Sequence, residues 1–259
     1  MYSRYTTLQQ EQLPKQEYFN TQSTYLLVYA PSRHALLEES LHDQLHRKVR
    51  LVSQLDGELT DSVAGILLMN EDAACLSTTL MYFAQALRDG ADYIVSDAVF
   101  GFDGATALYQ SPAHRAAVRC AFVSRELLDR CRAAAHDPES VSELLRLASK
   151  LCTKPHCIPE ALFHYPRDIC AEDVYSISGK RAFVMSHLLD MTGAPIVLVS
   201  AVPVLRNMGY EVVVLGPEDD GSLELFRDAG AAVITREGCV TTPVLWGLAF
   251  CADFVLANT

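Results

Sequence analysis

One stretch of this chain constrains its fold more than any other: Lys180–Gly209, KRAFVMSHLLDMTGAPIVLVSAVPVLRNMG. It opens with Arg181–Ser186, a short apolar run bounded by polar residues, which predicts a strand buried on both faces. After a loop, Pro195 suits the first turn of a helix, because its missing N–H would have no intrahelical partner there. Gly209 then provides the left-handed residue that ends a helix. The stretch therefore predicts a strand, a loop and a helix, in that order.

The next apolar run turns this pattern into a strand–helix–strand unit. Tyr210–Leu215 predicts a second buried strand, and the two strands of such a unit are parallel with a right-handed crossover. Open parallel sheets bind their ligands at the carboxyl ends of the strands. The predicted ligand-binding loop is therefore His187–Ala194.

The candidate substrate contacts in this loop are His187, Thr192, Gly193 and Ala194. Glycine allows a ligand to approach the backbone closely, and the start of a helix presents free N–H groups. A tight turn that only packs the helix on the sheet would use the same residues. His187 could carry a proton or contact a polar ligand, and it could equally be a hydrogen-bonded residue at a strand end.

The last part of the chain contains several family-typical pieces in a fixed order. These pieces are FVMSHLLDMTGAP, GYEVVVLGPEDDG, a segment ending in AGAAV, and ADFVLANT. Over residues 180–259 they resemble the amino-terminal domain of GT-B glycosyltransferases of the family 4 type. The resemblance implies a Rossmann-like fold that mainly receives the acceptor, while a second Rossmann domain holds the donor. This sequence contains no such second domain, so we expect a missing C-terminal domain, whose loss would expose the strand at Phe254–Ala257 and favour self-association.

The first half of the chain also alternates strands and helices, as an α/β domain does. Acidic side chains follow its later strands. Asn70, Glu71 and Asp72 stand at the carboxyl end of the third strand, and Asp97 stands at the tip of the fourth. The predicted strands are Tyr25–Ala30, Val49–Ser53, Gly65–Met69 and Tyr93–Ser96, with helices from about His34 to His46 and up to about Asp89.

The order of these elements, followed by YIVSDAVFGFDG and closed by ELLRLASKLCTKPHCIPEALFHYPR, resembles the nucleotide-sugar domain of GT-A glycosyltransferases of the family 2 type. The resemblance spans residues 25–167. It implies a nucleotide-sugar donor contacted by Asp97 and Asp103, and Mg²⁺ or Mn²⁺ held by Glu71 and Asp72. The metal motif reads NED, so an amide replaces the first carboxylate, and we expect a degenerate domain. Asp72 could instead cap the following helix.

The catalytic base stays unassigned. The GT-A family has an acidic residue at the start of its late helix, where this chain has Glu139 and Glu143. Asp137 and Pro138 predict a helix cap and first turn just before them, and acidic residues in a first turn favour the helix dipole. We therefore interpret both glutamates as structural.

The predicted fold class is α/β, with two Rossmann-like open parallel-sheet domains in tandem. The segments are a tail at residues 1–23, a degenerate GT-A-like domain at 24–167, a polar linker at 168–179, and a GT-B-type amino-terminal domain at 180–259.

Composition excludes several functions. The net charge of −11 and the lack of a clustered basic face argue against nucleic-acid binding. No GxGxxG follows a predicted strand, so we expect no NAD. No segment approaches about 18 uninterrupted apolar residues and no signal peptide is evident, so we expect no membrane span and a cytoplasmic protein. The eight cysteines are scattered, unlike those of a secreted disulfide scaffold.

The resemblances together predict a glycosyltransferase-like protein of polysaccharide biosynthesis. It would transfer a hexosyl group from a nucleotide sugar to a glycan acceptor. The alternative is a non-catalytic or truncated glycosyltransferase remnant that acts as a binding or scaffold module, which the altered NED motif favours.

Overall fold

A computed structural model describes residues 24–32, 34–101, 107–110, 120–135, 140–170, 180–187, 189, 193–217, 221–236, 248–249 and 251–258. The chain forms two compact units that interleave along the sequence. Unit 1 comprises Met1–Ser96 and Val118–Tyr165, and unit 2 comprises Asp97–Ala117 and Pro166–Thr259. Because unit 2 takes a segment from each half of the chain, the tandem order of two separate domains stays a prediction.

The helices and strands alternate along the chain, as the sequence predicts. In chain order they are β1 (Tyr25–Tyr29), α1 (Ala35–His42), β2 (Val49–Val52), β3 (Val63–Met69), β4 (Ala74–Cys75), α2 (Thr79–Arg88), β5 (Tyr93–Phe100), β6 (Ala107–Gln110), β7 (Cys120–Ser124), α3 (Arg125–Ala134), α4 (Val141–Leu151), β8 (Pro155–Tyr165), β9 (Arg181–Ser186), α5 (Gly193–Asn207), β10 (Glu211–Gly216), α6 (Leu223–Asp228), β11 (Ala232–Thr235) and β12 (Phe254–Asn258).

Unit 1 contains a mixed sheet. Strand β1 lies between β2 and β3 and is parallel to both, whereas β7 is antiparallel to β3 and to the first residues of β5. The core of the unit includes Phe83, whose ring lies 5.3 Å from that of Phe122 and 5.9 Å from that of Phe163. Gly65 permits this packing, since a Cβ there would lie 2.4 Å from the Phe122 ring.

Unit 2 contains a Rossmann-type sheet. Strands β12, β9, β10 and β11 are neighbours in that order and all parallel, so the first four strands of this segment have the order 3-2-1-4 of a Rossmann fold. Strand β6 is antiparallel to β11 and to the last residues of β5. The core between sheet and helices is apolar and includes Val184, Val202, Val214 and Phe226.

Several predictions of strand and helix ends are confirmed. The strand at Arg181–Ser186 has the predicted bounds, and Pro195 lies in the first turn of α5. Gly209 ends this helix with φ +86°, and the next N–H, that of Tyr210, donates to the carbonyl of Leu205 at 3.1 Å. This is the bond pattern of a Schellman motif.

Two predictions are corrected. Strand β5 continues to Phe100, so Asp97 lies inside a strand and not at its tip. Helix α1 ends at His42 rather than near His46. No helix in the described part of the chain is long and apolar enough to cross a membrane.

Candidate functional site

The carboxyl edge of the unit 2 sheet contains the point where the strand order reverses. Strand β9 lies between β10, which follows it in the chain, and β12, which comes last. The strand order therefore reverses between β9 and β12, and open α/β sheets form a ligand-binding crevice at such a switch point. Ser186, which is 2% exposed, pairs in register with Asn258 at this position. Sequence reasoning missed both residues, because strand order decides which strand ends are neighbours.

The sequence-predicted substrate residues follow this switch point. His187 directly follows β9 and is exposed. Gly193 and Ala194 are exposed residues in the first turn of α5, which starts near the carboxyl end of β9 because it returns the chain to the start of a parallel strand. Thr192 lies outside the described residues. The structure thus brings His187, Gly193 and Ala194 to one edge of the sheet.

Two glycines at this edge have different roles. A Cβ on Gly216, at the end of β10, would lie 2.4 Å from Leu189 Cδ1, so glycine is required for the chain after β9 to cover β10. The Leu189 carbonyl also accepts the N–H of Ser222 at 3.1 Å. A Cβ on Gly193 would meet nothing within 4 Å. The fold therefore does not require glycine at position 193, which leaves room for a ligand.

A match to a known family falls on this part of the chain. Residues 178–259 match the family described as Glycosyl-transferase family 4. The match supports a glycosyltransferase segment of the GT-B type in these residues. No match was found among curated proteins or among solved structures. The family 4 match does not reach residues 25–167, so the GT-A resemblance of that region stays a prediction.

Arg236 lies at the same edge of the unit 2 sheet, directly after β11. Its N–H donates to the carbonyl of Gly216 at 3.2 Å, and its guanidinium lies 3.5 Å from the carboxylate of Asp168. Sequence reasoning did not select Arg236. The signal was nevertheless present, since a charged residue directly follows the buried run AVIT.

The predicted donor contact Asp97 is enclosed in unit 2. Its side chain is 0% exposed, and its carboxylate accepts a hydrogen bond of 3.2 Å from the guanidinium of Arg227, which is 7% exposed. Arg227 also lies 3.3 Å from Glu224 within α6. This contact places Asp97 in a buried ion pair and away from solvent. Asp103, the other predicted donor contact, lies outside the described residues.

The predicted metal ligand Asp72 caps a helix, but not the one that follows it. Its two carboxylate oxygens accept the N–H groups of Leu36 at 3.2 Å and Leu37 at 3.0 Å. These groups belong to the first turn of α1, whose N-cap residue His34 makes no side-chain cap bond. Asp72 therefore accepts hydrogen bonds from N–H groups that have no acceptor within α1. It does so from a distance in sequence, since Leu37 and Asp72 are 35 residues apart.

Glu71 lies near Cys120, a partly buried residue of unit 1. Burial raises the pKa of the Cys120 thiol to about 12, a hydrogen bond from Tyr165 opposes the rise, and the charge of Glu71 adds to it. The Tyr165 hydroxyl lies 3.1 Å from Cys120 Sγ. The thiol is thus protonated at neutral pH and is not a reactive nucleophile.

Mg²⁺ and Mn²⁺ prefer several oxygen ligands. Both oxygens of Asp72 already bind backbone N–H groups, and within the ranges that the structure describes no three His, Cys, Asp or Glu residues group as metal ligands. Glu71 and Asp72 alone therefore do not fit the predicted metal well, and the metal site stays a prediction.

The late helix of unit 1 has a different cap from the predicted one. Ser140 is the N-cap of α4, and its hydroxyl accepts the N–H of Glu143 at 3.2 Å. The predicted caps Asp137 and Pro138, together with Glu139, lie outside the described residues. Glu143 occupies the first turn of α4, as the structural interpretation of this residue expects.

Proposed function

We propose that the protein is glycosyltransferase-like and binds its substrates at the carboxyl edge of the unit 2 sheet. The substrates would be a nucleotide sugar and a glycan acceptor, and the reaction would be hexosyl transfer in polysaccharide biosynthesis in the cytoplasm. One observation carries the proposal. The family 4 match covers the segment in which the strand order reverses, and His187 and the start of α5 are exposed at that reversal.

The exposed groups suit recognition of a sugar hydroxyl. His187 can accept a hydroxyl proton through a neutral ring nitrogen. The first turn of α5 offers N–H groups, and the open space at Gly193 lets a ligand oxygen approach them. His187 is therefore proposed as a substrate contact and as the candidate acceptor of the proton that the attacking hydroxyl releases.

A second candidate function is a binding or scaffold module without catalysis. The observation that favours it is the structural use of predicted site carboxylates. Asp72 caps α1 and Asp97 pairs with Arg227, so neither side chain is positioned only for a ligand. Under this alternative the unit 2 edge still binds a carbohydrate ligand, but no sugar is transferred.

The two candidates are separated by one set of assays on the full-length protein. Uridine and guanosine diphosphate hexoses are titrated into it with and without Mn²⁺, and hydrolysis or transfer to oligosaccharide acceptors is followed by mass spectrometry. Turnover that falls at least tenfold in His187→Ala, with binding retained, supports catalysis. Binding without turnover supports the scaffold function. Failure of every nucleotide sugar and oligosaccharide to bind would contradict both.

A further inference from the structure

Two arginines of unit 2 contact the same aspartate, Asp168. Arg236 Nη1 lies 3.5 Å from Asp168 Oδ1, and Arg167 Nη1 donates to the Asp168 carbonyl at 2.8 Å. The Arg167 guanidinium carbon also lies 5.1 Å from the centroid of the Phe100 ring. We call Phe100, Arg167, Asp168 and Arg236 the arginine cluster.

Strand directions place the arginine cluster at the carboxyl edge. Strand β5 is antiparallel to β6, and β6 is antiparallel to β11, so β5 and β11 run in the same direction. Phe100 ends β5 and Arg236 follows β11, so both lie at the edge where β9 ends. Strands β9 and β11 are two positions apart, which corresponds to roughly 10 Å. A single extended substrate can therefore reach both His187 and Arg236.

The arginine cluster carries more positive than negative charge. The cluster contains two guanidinium groups and one carboxylate: the Asp168 carboxylate is 52% exposed and contacts Arg236, whereas Arg167 donates to the Asp168 backbone carbonyl. The Arg236 side chain is only 14% exposed, and in the described part of the chain Asp168 is the hydrogen-bonding partner of its guanidinium, at 3.5 Å. A guanidinium has five N–H donors in a planar fork that matches the oxygens of phosphate. The contact with Asp168 is long, so the oxygens of a phosphate could compete with this carboxylate for the Arg236 guanidinium.

We propose that the arginine cluster binds a phosphate or diphosphate group of the substrate. The inference rests on the proposed function, since a nucleotide sugar and a phosphorylated acceptor would both supply such a group. The net charge of −11 disfavours anions at most of the surface. Binding of an oxyanion would therefore depend on the few places where guanidinium groups are concentrated.

The test measures binding of inorganic pyrophosphate, UDP and GDP to the full-length protein by isothermal titration calorimetry. Arg236→Gln removes the charge at similar size, and Arg236→Lys keeps the charge but loses the planar fork. The matched control is Arg206→Gln in the same unit, where the guanidinium contacts the Ala229 carbonyl at 3.4 Å on an exposed surface. Thermal unfolding of each variant confirms that it is folded.

We expect pyrophosphate to bind the wild type, and its Kd to rise tenfold or more in Arg236→Gln, less in Arg236→Lys, and not in Arg206→Gln. Tighter binding of UDP or GDP than of pyrophosphate would assign the site to the donor, whereas equal affinity would assign it to a phosphorylated acceptor. The proposal is overturned if pyrophosphate and both nucleotides fail to bind, or if Arg236→Gln binds them as the wild type does. Sugar transfer that is unchanged in Arg236→Gln would reject the cluster but leave the proposed function intact.

Discussion

Asp92 directly precedes β5, and its carboxylate accepts several hydrogen bonds within unit 1. It accepts hydrogen bonds from the Thr153 N–H at 2.9 Å and hydroxyl at 2.8 Å, from the Lys154 N–H at 2.8 Å and from Arg130 Nη2 at 2.9 Å. Burial raises the pKa of this carboxyl, but these hydrogen bonds outweigh burial and lower it overall. The folded protein therefore binds this proton less readily than the unfolded chain does.

Asp92→Asn should lower the free energy of unfolding by about 1.5–3 kcal/mol at pH 7, because it removes the charge that strengthens these bonds. A lowered pKa stabilises the fold above the unfolded value of about 3.9, and this stabilisation is lost as the pH falls through the folded value. The difference in the free energy of unfolding between wild type and Asp92→Asn should thus shrink below about pH 4. Urea unfolding from pH 3 to pH 7 measures this difference.

The control is Asp129→Asn, which removes an exposed ion pair with Arg125. It should change the free energy of unfolding by less than about 1 kcal/mol. A difference in unfolding free energy between wild type and Asp92→Asn that stays the same from pH 3 to pH 7 would contradict the role of the lowered Asp92 pKa.

Gly193 and Gly216 allow a second prediction for single residues. Gly216→Ala should destabilise the protein by about 1–3 kcal/mol, because the added Cβ meets Leu189 at 2.4 Å. Gly193→Ala should leave the melting temperature within about 2 °C of the wild type, since its Cβ enters open space. If a ligand approaches α5 there, Gly193→Ala should nevertheless weaken nucleotide-sugar or acceptor binding. Unchanged binding of every ligand that the wild type binds would show that position 193 only forms a turn.

At the scale of helices and strands, apolar runs predicted the bounds of strands better than polar residues predicted the caps of helices. Strands β9 and β10 lie within about one residue of their predicted bounds, because each is a buried apolar run. The cap of α1 could not be predicted in this way. Asp72 and Leu37 are 35 residues apart, and only the tertiary fold brings them together. Asp97 was misplaced for a related reason, since its buried partner Arg227 allows a carboxylate inside a strand.

The cap of α1 gives a prediction at this scale. Asp72→Ala should lower the free energy of unfolding by about 1–2 kcal/mol even in buffer that contains EDTA, because the lost bonds are to the N–H groups of Leu36 and Leu37. Chemical denaturation with and without Mn²⁺ measures this. Glu71→Ala in EDTA is the matched control for loss of a neighbouring carboxylate. An effect of Asp72→Ala that disappears when metal is removed would contradict the capping role and favour the metal site.

At the scale of the whole molecule, the chain could consist of two consecutive independent domains or of two units that exchange segments. The compact units favour the second arrangement. The sequence predicted an independent domain at 180–259, whereas unit 2 also includes Asp97–Ala117. That segment supplies β6, which pairs with β11, and Asp97, which pairs with the buried Arg227. A sequence pattern does not reveal such a pairing, because a strand from a distant segment has the same local signature as a neighbouring one.

A fragment of residues 166–259 should therefore not unfold cooperatively. It lacks β6 and leaves Arg227 buried without Asp97, which costs about 3–5 kcal/mol for a broken buried pair. Thermal unfolding followed by near-ultraviolet circular dichroism compares this fragment with the full chain. A cooperative transition in the isolated fragment would support the tandem arrangement of independent domains.

Hydrogen–deuterium exchange of the full-length protein tests most directly whether its ligand site lies at the carboxyl edge of the unit 2 sheet. Exchange is measured by mass spectrometry with and without the nucleotide sugars and oligosaccharides described above, at concentrations near saturation. We expect protection in peptides that contain His187 to Ala194 and Arg236, and none in peptides that contain Glu71 and Asp72. Protection confined to the Glu71–Asp72 peptides, or no protection anywhere, would contradict the proposal.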